Sequence, residues 1–181
     1  MTGWYGTRPS WRVPFEAAAR RRFGTDLHAL DRPDLTAGLG SRLASGSGSR
    51  SAGRRGAHGG GESLEYRVAA VEVDGQPALV DIAIRFWAEP RYDTYGLAPA
   101  DFPRVHAEPG VASPHRHIDD ALCLWSPFDP PELRWRHELG LLDLIEITRR
   151  HLFLERYWRM TGGTRGGVWL LPDAPHGIPA A

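Results

Sequence analysis

The chain holds one cysteine, Cys123, in the stretch PHRHIDDALCLW (residues 114–125), where His115, His117, Asp119 and Asp120 precede it. Four readings are open to such a group. A thiolate is a strong nucleophile and a thioester stays reactive toward amines, so Cys123 could accept an acyl group and hand it on. The neighbours would then need only to hold the loop, orient the amine and stabilise an oxyanion. Alternatively, Cys123 could be a hydrolase nucleophile with His115 or His117 as its base, although cysteine hydrolases bring that histidine from a distant segment. A third reading is zinc, with His106 joining His115, His117 and Cys123. A His-x-His pair on a strand shares one face, but no second cysteine pair or His-Glu-x-x-His element accompanies it. Last, a lone cysteine between Leu122 and Leu124 is commonly a small buried residue. The aspartates are then ordinary turn formers and the histidines are hydrogen-bonded loop residues.

Whatever the chemistry, secondary structure must position this loop. Residues 13–30 read as a helix: Pro14 suits its first turn, and Phe15, Ala19, Phe23, Leu27 and Leu30 recur at helical spacing. Residues 36–62 hold nine of the 21 glycines and almost no large apolar side chain. Such a segment cannot offset its ordering entropy by burial and reads as a disordered insertion or linker. Its Arg50, Arg54 and Arg55 suit a solvated tether better than a contact with an acidic partner. After the turn signal Asp74-Gly75, the residues Val80, Ile82, Ile84 and Phe86 alternate with Asp81, Ala83 and Arg85, which predicts an antiparallel hairpin with one buried face. A proline-rich loop leads to a short strand at 103–107 and then to the cysteine segment. A second helix is expected over 135–160, with Leu141, Leu142, Ile145, Leu152 and Leu154 in its core face, a break near Gly140 and a stop at Gly162 and Gly163. Trp169 and Leu170 should anchor the tail. Segregated helices and antiparallel strands make the fold class α+β.

The totals narrow the function. A chain of 181 residues with seven tryptophans fits one domain, 1–181, with the insertion at about 36–62. The formal charge is zero, so nothing global draws the protein to nucleic acid or an anionic membrane. No apolar run approaches the roughly 18 residues of a membrane span, and the N-terminus lacks a signal-peptide layout, so the sequence predicts a cytoplasmic protein. All 22 basic residues are arginine. Only the α-amino group could therefore serve as an amine nucleophile within the chain. No glycine-rich nucleotide loop sits between a strand and a helix, and no cofactor is implied.

YGLAPADFPRVHAE resembles the tyrosine- and proline-rich approach strand of the ubiquitin-conjugating (E2) superfamily, and SPHRHIDDALCLW resembles the segment in which a histidine precedes a Leu/Ile-Cys-Leu nucleophile. LCLWSPFDPPELRW and HLFLERYWRMTGGTRGGVWLLPDAPHG are similar to the cysteine segment and closing pattern of its bacterial branch, which includes the E2-like components of type II CBASS antiphage operons. The resemblance spans nearly the whole chain outside the glycine-rich segment. It implies a UBC-like fold with an N-terminal helix, a β-meander, a cysteine-bearing loop and C-terminal helices. It implies that Cys123 carries a partner's C-terminus as a thioester and transfers it to a target amine. The acyl donor would be a cGAS-like nucleotidyltransferase or a ubiquitin-like protein, with any E1-like activating enzyme a separate chain. His115 or His117 matches the histidine that organises the loop, Asp119 or Asp120 would orient or deprotonate the amine, and Trp125 and Trp135 match structural positions. The eukaryotic His-Pro-Asn is replaced by Pro114-His115-Arg116-His117, so Arg116, a histidine or a backbone N–H would have to support the oxyanion. The alternative is a catalytically silent docking module of the same fold.

Overall fold

The computed structural model describes residues 4–32 and 61–171. The glycine-rich segment, apart from Gly61 and Glu62, and the closing Pro-His-Gly tail lie outside the described residues. Helix α1 (Pro9–Phe23) opens the fold, followed by strands β1 (Leu27–Arg32), β2 (Ser63–Val71), β3 (Val80–Trp87) and β4 (Arg104–His106), and then by helix α2 (Gly140–Met160). The class is α+β. The strands form one antiparallel sheet in the order β1-β2-β3-β4.

The first helix differs from its expected bounds at both ends. It starts one turn earlier, with Pro9 rather than Pro14 in the first turn, where a missing N–H costs nothing. It stops at Phe23 because Gly24 takes φ 53°, and the chain turns through a 3-10 turn (Gly24–Asp26) into β1. The residues expected to be its last turn are therefore a strand. Leu27 is buried, but Leu30 is exposed, because it sits on the solvent side of that strand.

The hairpin follows its sequence pattern. Val80, Ile82, Ile84 and Phe86 are buried, and their alternates point to the other face. The turn closes with the Gln76 N–H donating to the Val73 carbonyl at 3.0 Å. A bulge between Val68 and Val71 places Ala70 at φ 55°, where its N–H donates to Asp81 Oδ1 at 3.0 Å. On the outer face of β2, Glu65 is 1% exposed beneath Arg32, Arg67 and Arg85. Burial alone would raise its pKa, but hydrogen bonds from Arg67 and Arg85 more than offset this and lower it.

Helix α2 begins at Gly140, and residues 135–139 are not part of it. Gly140 adopts φ 85°, ψ 170°, a backbone conformation reserved for glycine, and this breaks the expected helix at its start. Leu141, Leu144, Ile145 and Leu152 are fully buried against the inner face of the sheet, each contributing about 1.5–3 kcal/mol by leaving water. Leu142 is half-buried against the same core. Beyond Met160 the chain turns through Gly162 (φ 137°) and Gly163 (φ 56°), and a single 3-10 turn follows among the described residues, so the structure shows one C-terminal helix there rather than several. Trp169 packs on the body of the protein, whereas Leu170 is exposed. No helix among the described residues is long and apolar enough to cross a membrane.

Candidate active site

The cysteine segment is a small β-hairpin laid beside the sheet. The Leu122 N–H donates to the Val105 carbonyl of β4 at 2.8 Å, which ties it to the sheet edge. Within it, the Cys123 N–H donates to the His115 carbonyl at 2.9 Å and the His117 N–H to the Ala121 carbonyl at 2.8 Å, with Arg116 and Leu122 forming the bridge between them. His115 and Cys123 are thus directly opposite one another. Residues so paired carry their side chains on the same face with Cβ atoms about 4.5–5.5 Å apart. Both side chains open on one cleft of about 430 Å³, walled by Trp125, Trp135, Ile147 and Leu154 and closed on one side by Trp169. His115 is buried, its ring 4.1 Å from that of Trp169 and 6.3 Å from that of His151 on α2.

His117 lies elsewhere. Its ring packs edge-on to Phe102 at 6.2 Å, and burial, helped by the positive charge of Arg104, lowers its pKa to about 4. It is a neutral structural imidazole. Of the two histidines, His115 shares the cleft with Cys123.

The aspartates hold the hairpin's turn and do not line the cleft. Asp120 takes φ 63°; its carboxylate accepts from the Gly110 N–H at 2.7 Å and from Arg116 Nη1 at 2.9 Å. Burial opposes its ionisation, and these two donors outweigh that and lower its pKa. Asp119 pairs with Arg104 at 3.2 Å, an ion pair without the alignment of a hydrogen bond. Arg104 itself lies over the Tyr92 ring at 3.8 Å.

Arg116 is wholly committed. Its Nε and Nη2 donate to the two oxygens of Glu155 on α2 at 3.0 and 2.8 Å, and Nη1 also donates to the Glu108 carbonyl at 3.0 Å. This fork pins the hairpin to the helix. Glu155 is fully buried and also lies 3.4 Å from His151 Nε2 and 3.5 Å from Arg159. Burial alone would raise its pKa, yet the neighbouring His151 and the bonds from Arg116 hold it down at about 2.

The Cys123 thiol is half-buried, and burial raises its pKa; Arg104 opposes that rise and Asp129 adds to it. Cysteine hydrolases lower their thiol's pKa through a charged histidine, so this electrostatic setting disfavours the hydrolase reading. The zinc set is not assembled either. Among the described residues, the group with three ligand atoms within 4.8 Å of one another is Asp101, His137 and Glu138, which includes none of His106, His115, His117 and Cys123. There the His137 Nδ1 lies 2.7 Å from Asp101 Oδ1.

Sequence did not single out Asp129 and His151, which line the cleft, nor Glu155, which lies behind His151; Asp129 Oδ2 accepts from the Ser126 N–H at 3.0 Å. A signal for Glu155 existed. Thr148 and Glu155 fall on the apolar stripe formed by Leu141, Leu144, Ile145 and Leu152, and a carboxylate in a core position demands a charged partner.

Comparison of the chain with protein-family models, with curated proteins and with solved structures finds no match.

Proposed function

We propose that the protein is an E2-like conjugating enzyme of UBC-like fold in bacterial antiphage (CBASS) defence, in which Cys123 carries a partner's C-terminus as a thioester and passes it to an amine. The observation that carries this reading is the placement of Cys123: half-buried, opposite His115, at the mouth of a cleft, on a hairpin pinned to both β4 and α2. Acyl carriage needs that arrangement, because a rigid loop holds the carbonyl carbon where an amine entering the cleft can reach it. The order of helix, four-stranded meander, cysteine loop and helix also fits the resemblance. With Arg116 bound to Glu155, oxyanion support falls to His115 or a backbone N–H. The acyl donor is a cGAS-like nucleotidyltransferase or a ubiquitin-like protein, with any E1-like activating enzyme a separate chain.

The test is intact-mass and non-reducing gel analysis of the protein isolated with the products of its neighbouring genes, wild type against Cys123→Ala. A reductant-sensitive adduct confined to wild type is expected, and its mass identifies the donor. If partner binding and biological activity survive Cys123→Ala and no adduct forms, the protein is a docking module and the enzymatic reading is wrong.

A further inference from the structure

The mechanism so far leaves the proton of the attacking amine without a destination. Asp119 and Asp120 are occupied in the hairpin's turn and do not line the cleft. His151 does. It projects from α2 into the wall of the cleft that contains Cys123, its ring 6.3 Å from that of His115 and 5.5 Å from that of Trp169. Behind it, 3.4 Å from its Nε2, stands the fully buried carboxylate of Glu155, itself gripped by Arg116. An imidazole that lines a cleft and has an ionised, immobile carboxylate 3.4 Å from its Nε2 is placed to take up a proton and to be stabilised once it has done so.

We infer that His151 is the general base for aminolysis of the Cys123 thioester. This rests on the conjugation reading above. As the amine nitrogen bonds to the thioester carbonyl carbon, His151 removes one N–H proton. The carbon–sulfur bond then breaks, and the imidazolium returns that proton to the departing Cys123 sulfur, leaving an amide, a thiol and a neutral histidine. The cleft accommodates the lysine acceptor of the conjugation reading: Trp135, Ile147 and Leu154 offer apolar wall to its four-carbon stem, and Asp129 a carboxylate. The chain contains no lysine of its own. The charged and titratable groups around His151 are Glu155 and Arg150 on α2, His115 and, through Glu155, Arg116 on the hairpin, and Asp129 across the cleft.

The full-length protein is charged on Cys123 by exchange with a synthetic glycine-ended peptide thioester, and discharge to N-acetyl-lysine methylamide is followed by mass as a function of pH. His151→Gln should charge as wild type does but discharge about 10²-fold more slowly, with the pH dependence attributable to His151 abolished. His151→Ala should be equally slow and recover with added imidazole, which a lost packing contact would not do. Equal discharge by wild type and His151→Gln overturns this inference alone. So does a slow His151→Ala variant that imidazole leaves unchanged. Failure of wild-type Cys123 to charge at all overturns the conjugation reading, and this inference falls with it.

Discussion

Replacing Arg116 with methionine should cost more than replacing almost any other polar residue outside the core. Its side chain is 6% exposed and that of Glu155 is 0% exposed, so the variant would strand a carboxylate in a dry site with only His151 and the more distant Arg159 for company. Breaking a buried ion pair from one side typically costs about 3–5 kcal/mol. Glu155 as a whole also carries a pH linkage: a fall from 4.5 to about 2, at roughly 1.36 kcal/mol per unit, corresponds to about 3 kcal/mol, set by His151 and Arg116 together against burial. A depressed carboxylate pKa stabilises the fold above the unfolded value and loses that contribution as pH falls through the folded one. Wild type should therefore lose about 3 kcal/mol between roughly pH 4.5 and pH 2 from this group alone. Urea unfolding followed by tryptophan fluorescence, at pH 7 and through the acid range, measures both effects. Glu155→Gln should lack this part of the acid slope. The ion-pair reasoning is wrong if Arg116→Met loses under about 1 kcal/mol at pH 7, or if Glu155→Gln and wild type share one acid slope.

Two further predictions concern the frame around the hairpin. The His117 imidazole should titrate near pH 4 in an NMR titration. Because its folded pKa lies below the unfolded value of 6.5, it favours the fold at neutral pH and withdraws that support as pH falls from about 6.5 to about 4; a midpoint above 6 would contradict its placement beneath Phe102 and Arg104. Gly140→Ala should lower stability by about 1–3 kcal/mol in urea unfolding, because φ 85°, ψ 170° is strained for alanine and the new Cβ would meet the Phe15 carbonyl oxygen at 3.3 Å; an unchanged midpoint would contradict that backbone geometry.

Much of the scaffold was legible because it rests on short-range periodicity. The alternation from Val80 to Phe86 reads out β3 directly, since every second residue must face the core. The strand β1 was hidden for the opposite reason: Phe23, Leu27 and Leu30 satisfy a helical spacing equally well, and only the positive φ at Gly24 decides between the two. At the site, the sequence placed two histidines upstream of Cys123 but could not say which one meets it. That depends on the length of the turn, which Asp120 fixes by accepting a positive φ and binding Gly110 and Arg116. His151 was illegible because its relation to Cys123 is made by packing across 28 positions of chain, with no local pattern to announce it.

The hairpin's register is what converts this packing into a site. Arg116 must reach Glu155 and Leu122 must enter the core, and because these two are bridged partners, both demands fix the same register. Once they are met, the adjacent pair His115 and Cys123 faces the cleft without any further contact being needed to aim them. A slip of one residue would bury the thiol and send a guanidinium toward Trp135. The buried ion pair therefore specifies where the sulfur points as much as it stabilises the fold, which gives a physical reason for a carboxylate to occupy a core position of α2 where leucine would pack more cheaply.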